Sequence, residues 1–550
     1  MPKVPFWMFI LIGLLYITSV SVDTMDVDAS QYAEMCREML QRGDLLHVYD
    51  RGADYLDKPP LLFWTGALSM RIFGINNLGY KMPSILFALW AVFATYRLGK
   101  SLYNEVTGRM AALILATCQG MFLMTNDVRC DTILMSCVVT SLWLIQEWAD
   151  SRKLYYLLGG AAAIALGMMT KGPIALMVPV FCFGTHWALQ RQWKNIFAPA
   201  HLLAIVVIAI LLIPMSIGLY QQFDMQPHKV VNGSTCTSGL RFFYWSQSFG
   251  RITGESPWDN GAPFEFLLMN MLWSFLPWIF LFVTALVINC ATLVRQRLRL
   301  LPGQEWVTTG GFLLAYLALG SSAYQLPHYI FVVFPLAAIM TAKLIADMMG
   351  GKYKRLHRIM RPAHIVITVL LLAATLAFIA YIFPAGGVVI LSWALLVATW
   401  LSLAISKKTK AKLLFLPALG IIIVNIFFTN YFYVPLLKYQ VGSQVGRYMH
   451  EKGIDPRQVA AYKVDDPINS IHFYAQGVVP GIDTLPQLQH RYILTSDRGM
   501  KDIEGHYSYT IDKQGVFYKV SELTGPFLDP RTRSKEVKNY YLLRLAEPHQ

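Results

Sequence analysis

The sequence predicts a membrane protein built from α-helices, with about 13 membrane-spanning helices and a small α/β domain at its C-terminal end. Three observations support this fold class. Of the 550 residues, 55% are apolar and only 15% are charged, whereas soluble proteins carry roughly 25% charged residues. Apolar runs of about 17–25 residues, long enough to cross a bilayer, follow one another through most of the chain. From residue 438 onward the composition becomes that of a soluble domain.

The predicted spans are apolar runs separated by short polar connections. The first run is interpreted as a retained membrane helix, because no convincing small-residue cleavage site follows it. The runs cover residues 6–22, 80–99, 108–125, 131–149, 154–170, 173–189, 199–220, 264–290, 306–321, 327–349, 362–382, 386–405 and 412–433.

Basic residues alternate between the two sides of this predicted bundle. With the N-terminus in the cytoplasm, the cytoplasmic connections are rich in Lys and Arg, at residues 96–109, 150–153, 191–194, 295–299, 352–361 and 407–412. The opposite connections are poor in Lys and Arg, at residues 125–130, 170–173, 321–327 and 383–387. Because short loops rich in Lys and Arg stay in the cytoplasm, the alternation places the first loop and the C-terminal domain outside. The net charge of +14 is spread over loops, which argues against a nucleic-acid partner.

Two domains are predicted. Residues 1–437 form the transmembrane module, with long outer loops at residues 23–79 and 221–263. Residues 438–550 form an outer α/β domain, in which residues 442–453 have a helical pattern. Short β-like runs lie at residues 459–464, 471–475, 491–495, 516–520 and 540–545. Most of the seven Cys fall inside apolar runs, which is typical of small buried side chains rather than of disulfides or a metal site.

The first outer loop is unusually polar for its neighbourhood and must lie at an aqueous face. Tyr32, Cys36, Met39 and Leu40 recur at helical spacing, which predicts a short amphipathic helix at the membrane interface. A second helix is expected after Pro59 and Pro60, because Pro is tolerated in a first turn. Its predicted apolar face consists of Leu61, Leu62, Trp64 and Leu68.

Many ionisable residues stand beside span ends on the predicted outer side. They are Asp28, Asp57, Lys58, Asp127, Arg129, Asp131, Lys171, Arg241, Arg251, Glu255, Asp259 and His328, with Tyr329 beside the last. An acid at a span end is also a common interface residue, and Lys58 or Lys171 would snorkel to the surface without any further role. An alternative for Asp57 and Lys58 is a structural ion pair without a catalytic role. The alternative for His328 is a hydrogen-bonded residue that serves only in packing. Lys171 departs from this pattern, because a base in a tight outer connection runs against the charge rule.

Short motifs in a fixed order give the transmembrane module a family resemblance. They are Asp28, Gln31-Tyr32-Ala33-Glu34, Arg37-Glu38-Met39-Leu40, Tyr55-Leu56-Asp57-Lys58-Pro59, Asp131, Met169-Thr170-Lys171-Gly172, Ala262-Pro263-Phe264 and Leu326-Pro327-His328-Tyr329. In this set the chain resembles the GT-C glycosyltransferases that use polyprenyl-phosphate-linked sugars. It is similar to the bacterial aminoarabinose transferases that modify lipid A and, more distantly, to protein O-mannosyltransferases.

The resemblance implies a role for each matching residue. Asp28 would be the catalytic carboxylate near the acceptor, with Asp131 as a second one. Lys58, Lys171 and Tyr32 would bind the donor phosphate, and His328 and Tyr329 would form the acceptor side or wall of the site. Asp57 stands where the family has an acid that helps to hold a metal or the donor, which makes a divalent metal ion the one candidate cofactor. The sequence departs from the family at Ala29, Gln31 and Asn260, where relatives have Glu, Arg and a metal-binding His.

The implied function is inverting transfer of a sugar from a polyprenyl-phosphate donor to an acceptor hydroxyl or phosphate. The acceptor stays open among lipid A, a protein and a surface glycan. The implied location is the bacterial inner membrane, with the site and the C-terminal domain on the periplasmic side. A polytopic secondary transporter of a lipid or sugar is the main alternative, and it would place ionisable residues near the middle of broken spans and show two related halves. A third possibility is a membrane-anchored scaffold that presents the C-terminal domain. A single membrane span would be enough for that role, so it does not account for the many predicted spans.

Overall fold

The structure, a computed structural model, describes residues 4–548 except 232, 234, 236, 256, 257, 302, 408–410 and 486–490. The helices of the first half are α1 (Phe6–Thr18), α2 (Asp28–Arg42), α3 (Leu61–Phe73), α4 (Asn77–Leu102), α5 (Glu105–Ala116), α6 (Gln119–Asn126), α7 (Cys130–Ser151), α8 (Leu154–Lys171), α9 (Ile174–Leu189), α10 (Trp193–Ile196) and α11 (Ala200–Leu219). The helices that follow, up to the C-terminal sheet, are α12 (Gly239–Arg241), α13 (Gly250–Thr253), α14 (Phe266–Ser274), α15 (Ile279–Arg295), α16 (Val307–Gly320), α17 (Phe334–Met349), α18 (Lys354–Ala377), α19 (Gly387–Ile405), α20 (Lys412–Phe428) and α21 (Val434–Leu436).

Length and composition make the helical part a multi-pass membrane protein. In the described part of the chain, eight helices are long and apolar enough to cross a membrane, or nine if α5 and α6, which meet at a 54° bend, form one span. Shorter apolar helices lie at Phe6–Ser21, Leu61–Phe73, Ile174–Leu189, Ile279–Arg295 and Val307–Gly320. A helix stands at the place of each predicted span, and the run at 264–290 is divided into α14 and α15. The membrane helical architecture is therefore confirmed, while the number of about 13 crossings stays a prediction.

Small residues let the central helices approach closely. Gly99 in α4 and Gly108 in α5 face each other, and a Cβ at Gly108 would lie 2.5 Å from the carbonyl oxygen of Tyr96. Such small-residue contacts are common between membrane helices, because they bring the two backbones within van der Waals range. α5 also packs against α17, so α5 is in contact with both α4 and α17.

The first loop folds into two helices joined by a short hairpin, β1 (Tyr49–Asp50) and β2 (Ala53–Asp54). The predicted amphipathic helix is confirmed as α2, which packs between α3 and the C-terminal domain. α3 begins directly after Pro60, as expected. Its predicted apolar face was wrong in one residue: Leu68 is 61% exposed, while Phe63, Ala67 and Met70 are buried. α2 and α4 pack against α3, so the buried stripe of α3 is displaced from the face that apolar character alone predicted.

The C-terminal residues form a mixed five-stranded sheet with the order β4-β3-β5-β7-β6. The elements are α22 (Val441–Lys452), β3 (Val459–Tyr462), α23 (Ser470–Tyr474), β4 (Gly481–Ile482), β5 (Tyr492–Ser496), α24 (Asp497–Glu504), β6 (Tyr507–Phe517), α25 (Gly525–Leu528) and β7 (Lys538–Pro548). β3 is parallel to β4 and β5, whereas β7 is antiparallel to β5 and β6. The small α/β domain is confirmed.

Two strand predictions in this domain need correction. The run at 471–475 was predicted as a strand but is helix α23, whose Ile471 and Phe473 are buried. A five-residue apolar run has too few residues to reveal its period, so packing decides its structure. The run at 516–520 is the end of the longer strand β6 and the turn after it, and β4 has only two residues.

Candidate active site

Asp28 lies at the start of α2, where a carboxylate is favoured by the helix dipole. Its side chain forms an ion pair with Arg129, which also binds Asp127 at 2.8 Å. Arg129 directly precedes α7. Burial alone would lower the pKa of Arg129, but the charges of Asp127 and Asp28 outweigh it and raise that pKa. Arg129 is therefore a fixed cation that links the first loop to the connection before α7.

Asp131 and Lys171 form a second charged pair close to the same end of the bundle. Asp131 is in the first turn of α7, its side chain is 3% exposed, and it binds the ammonium group of Lys171 at the end of α8. Its other oxygen lies 3.5 Å from His328 Nε2. The Lys171 Nζ also lies 3.6 Å from the centre of the Tyr329 ring, a cation–π distance. Asp131 and Tyr329 thus hold Lys171 from two sides.

Lys58, Lys171 and Arg251 together line one open cavity. Arg251 donates a hydrogen bond to the Tyr329 hydroxyl at 3.0 Å, and its guanidinium lies 5.2 Å from the centre of the Tyr324 ring. Gln247 and Ser248 add polar groups to the wall, and the apolar lining consists of Ile174, Met177, Phe249, Ala318 and Leu319. Three cations against an apolar wall suit a ligand that joins a phosphate to a lipid tail.

Lys58 reaches this cavity from the end of the first loop. Its neighbour Asp57 accepts a hydrogen bond on its backbone oxygen from the Gln247 amide. That bond joins the first loop to the loop that carries Arg251. Within the described residues, the Lys58 ammonium forms no hydrogen bond or ion pair with another side chain, unlike Lys171.

The structure gathers six of the eight predicted site residues into two adjoining groups. Lys58, Lys171 and Tyr329 line the cavity, and Asp131 and His328 stand behind Lys171. Asp28 forms the neighbouring group with Arg129. Tyr32 is not among the residues that line the cavity: it is buried in α2, with its ring edge-on to Phe63, and burial and then the nearby Tyr55 raise its pKa.

The residues at the expected metal position are engaged elsewhere. The Asn260 amide donates to the Gln325 carbonyl oxygen at 2.7 Å and accepts from the Gln325 N–H at 3.1 Å. Asp131 faces Lys171 and His328. In the part of the chain that the structure describes, no three His, Cys, Asp or Glu side chains are close enough together to hold a metal. The residues present do not fit a three-ligand metal centre, and a divalent ion near Asp57 stays an untested prediction.

Sequence reasoning did not assign roles to Arg251, Arg129, Gln247 or Ser248. Both arginines were visible as charges near span ends, but several other ionisable residues have the same pattern. What singles out Arg251 is its contact with Tyr329, 78 residues further along the chain. The one available signal for Arg251 was a basic residue in an outer loop, where the charge rule expects few Lys and Arg. The same signal applied to Lys171.

Comparisons with known proteins relate this chain to others by sequence and by fold. A family profile described as "Dolichyl-phosphate-mannose-protein mannosyltransferase" matches residues 57–217. The chain is 26% identical over 340 residues to the undecaprenyl phosphate-alpha-4-amino-4-deoxy-L-arabinose arabinosyl transferase of Edwardsiella ictaluri, covering 60% of this chain and 57% of that protein. The enzyme of the same description from Pseudomonas aeruginosa is 26% identical over 356 residues, covering 63% and 60%. The chain thus spans less than two thirds of the length of these curated relatives.

Solved structures show the fold. The crystal structure of ArnT from Cupriavidus metallidurans bound to undecaprenyl phosphate matches with a TM-score of 0.71 at 13% identity, covering 97% of each chain. The oligosaccharyltransferase of Archaeoglobus fulgidus matches with a TM-score of 0.53 at 13% identity, covering 89% of this chain and 70% of that one. The chain therefore has the GT-C fold and resembles the bacterial aminoarabinose transferases in both sequence and structure.

Proposed function

We propose that this chain is an inverting glycosyltransferase, which moves a sugar from a polyprenyl-phosphate donor to an acceptor hydroxyl or phosphate. The observation that carries the proposal is the cavity where Lys58, Lys171 and Arg251 meet beside Tyr329. The names of similar proteins, which include undecaprenyl phosphate, support the same class of donor. The resemblance also supports a bacterial inner-membrane location, with this end of the bundle on the periplasmic side.

The cations act on the leaving group. In the transfer, the acceptor oxygen bonds to the anomeric carbon while the bond from that carbon to the phosphate oxygen breaks. The electron pair of the broken bond leaves with the polyprenyl phosphate, which gains a negative charge. Contacts with Asp131 and Tyr329 hold Lys171 and Arg251 in place before the reaction begins. Together with Lys58 they stabilise that charge, because cations that are already in position need no reorganisation during the reaction.

Asp28 takes the proton when the acceptor is a hydroxyl. A carboxylate near the sugar serves as general base, and the ion pair with Arg129 fixes its position. An ionised phosphate acceptor has no proton to lose and needs no base. Because a single displacement approaches from the face opposite the phosphate, the anomeric configuration inverts.

A transporter is less well supported. It would need ionisable residues near the middle of the spans. The charged groups described above lie instead where α1 and α8 end and α7 begins, at one end of the bundle.

The test is binding of undecaprenyl phosphate to the purified full chain in detergent. We expect Arg251→Ala and Lys58→Ala each to raise Kd by about tenfold or more, because a hydrogen bond to a charged group contributes about 1.5–3 kcal/mol. Arg241→Ala is the matched control, since Arg241 lies in the same loop with its side chain 71% exposed. Unchanged Kd in both cavity variants would contradict the assignment.

Transfer is tested with radiolabelled polyprenyl-phosphate sugars and the three acceptor classes, lipid A, protein and surface glycan. Label should move to one of them from an aminoarabinosyl or mannosyl donor. Undecaprenyl phosphate that binds without any transfer across the whole panel would favour a transporter.

A further inference from the structure

The segment between α1 and α2 is held from the membrane side by two residues of α4. The fully buried ammonium of Lys81 donates to the carbonyl oxygens of Ser19 at 3.0 Å and Val22 at 2.8 Å. The Asn77 amide donates to the same Val22 oxygen at 3.2 Å. These bonds fix the chain immediately after the first span, a few residues before Asp28.

The C-terminal domain holds the same segment from the opposite side. The Asp26 carboxylate accepts hydrogen bonds from the Ser470 N–H at 2.8 Å and the Ser470 hydroxyl at 2.9 Å. Gln440 spans two peptide groups: its amide oxygen accepts from the Asp26 N–H and its NH₂ donates to the Thr24 oxygen, both at 2.8 Å. We call Asp26, Gln440 and Ser470 the clamp.

Further contacts surround the clamp. Arg447 forms an ion pair with Asp23, and its guanidinium lies 4.5 Å from the centre of the Tyr474 ring. The Tyr474 hydroxyl accepts from the Thr24 N–H and donates to Asn77. The contacts from α4 and those from the C-terminal domain therefore meet at Thr24 and Asn77.

The clamp is buried and fully bonded, so it tolerates little displacement. Asp26 is 6% exposed, and Gln440 and Ser470 are not exposed at all. A buried donor or acceptor that loses its partner bears the whole cost of desolvation. Gln440 and Ser470 each lie more than 400 positions after Asp26, so these bonds exist only while the C-terminal domain is docked.

We propose that Asp26 is a positioning residue, through which the docked C-terminal domain sets the place of Asp28. Asp26 lies two positions before Asp28, the first residue of α2, so a shift of one moves the other. The Ser30 hydroxyl also binds Asp26 and carries the restraint into the first turn of α2. The inference rests on the proposed function, in which Asp28 is the base, and makes turnover depend on a domain that does not line the donor cavity.

The test compares Asp26→Ala with Asp26→Asn in the full chain, using the donor and acceptor that the wild type accepts. Ala removes every carboxylate bond, and we expect turnover to fall about 10- to 100-fold, as small misplacements at reacting groups do. Asn keeps one oxygen toward the Ser470 N–H and can donate to the Ser470 hydroxyl, so it should restore most of the turnover. Kd for undecaprenyl phosphate should stay unchanged in both variants, because no clamp residue lines the cavity.

A double variant shows whether Asp26 acts through Asp28. If it does, Asp26→Ala in an Asp28→Asn background should lower turnover no further, because interacting sites are not additive. Hydrogen exchange gives a readout without any substrate: amides of residues 23–31 should exchange faster in Asp26→Ala, with the membrane helices unaffected.

The outcomes separate the two proposals. Wild-type turnover in Asp28→Asn would overturn the role of Asp28 and, with it, the positioning role of Asp26. A low Asp28→Asn turnover beside wild-type turnover in Asp26→Ala would overturn the positioning role alone. So would unchanged exchange at residues 23–31, or an Asn variant as impaired as the Ala variant.

Discussion

Replacement of Asp28 is the most informative change, because Asp28 could serve only as the ion-pair partner of Arg129 or also as the general base. A suitable substitution separates these two roles. Asp28→Asn keeps the size of the side chain and can still accept a hydrogen bond from Arg129, but it removes the proton acceptor. We expect near-normal expression and undecaprenyl phosphate binding, with turnover on a hydroxyl acceptor lowered roughly 10²-fold or more.

The control for that experiment has to come from an exposed part of the same loop. Glu34 is unsuitable, because its side chain is 1% exposed and forms a buried ion pair with Arg37, and breaking such a pair is strongly destabilising. Asp44→Asn is better, since Asp44 is partly exposed and, among the residues that the structure describes, bonds to Leu46 and His47 within its own turn. Retention of more than about a third of wild-type turnover in Asp28→Asn would identify Asp28 as a structural residue.

Asp26 gives a prediction about pH. Burial raises its pKa to about 6, although hydrogen bonds from Ser30 and Ser470 oppose the rise. A raised pKa means that the folded chain binds the proton more tightly than the unfolded chain. The stabilisation from Asp26 is therefore complete below about pH 4 and is lost as pH rises through about 6, a change of roughly 3 kcal/mol.

Asp26→Asn should remove that dependence, since an amide does not titrate. Thermal unfolding of the wild type and of Asp26→Asn should therefore differ in slope between pH 4 and pH 7, with the wild type losing more stability. Burial and then Arg51 and Arg37 lower the pKa of the neighbouring His472 to about 3, so His472 makes stability rise with pH over the same range. This contribution is the same in both proteins and cancels from the comparison of their slopes. Parallel slopes for the two proteins would show that Asp26 does not titrate in this range.

At the scale of elements, the contact between α4 and α5 depends on Gly108. A Cβ there would lie 2.5 Å from the Tyr96 oxygen and 2.8 Å from the Lys100 nitrogen. Both atoms belong to the backbone, so the helices must separate. We expect Gly108→Ala to destabilise the protein by about 1–3 kcal/mol, seen as a lower Tm in detergent.

Gly184→Ala in α9 is the matched control, because no atom of the described part of the chain lies within 4 Å of a Cβ built there. Ala is also the better helix former by about 1 kcal/mol, so this variant should unfold at the wild-type temperature or slightly above it. An equal Tm for the two variants would mean that the α4–α5 contact adapts at little cost.

The elements that the sequence predicted well are the long apolar runs. Every predicted span has a helix in its place, because runs of about 20 apolar residues leave few other structures available. α23 was predicted as a strand, because five residues are too few to show whether apolar positions recur with the spacing of a helix or of a strand. A site residue could be predicted where its charge was unexpected for its position, as for Lys171, a basic residue in an outer connection. Arg251 and the clamp were not, because their partners are set by packing between distant segments.

At the scale of the whole molecule, orientation decides whether the proposed site faces the side where a periplasmic acceptor is found. The structure places Asp28, Lys58 and Lys171 at the end of the bundle that carries the C-terminal domain. The opposite connections contain exposed basic residues such as Arg295, Lys354 and Arg358. Because short loops rich in Lys and Arg are retained in the cytoplasm, we expect the C-terminal domain to be periplasmic.

A reporter that is active only outside the cytoplasm tests this orientation. Fused after Leu436, at the end of α21, it should be active. Fused after Lys407, in the connection between α19 and α20, it should be silent, because one span separates the two positions. A cytoplasmic reporter should give the reverse pattern at both sites. If the first reporter is silent after Leu436 and active after Lys407, the cation cavity faces the cytoplasm, and the donor and acceptor must then be sought among cytoplasmic molecules.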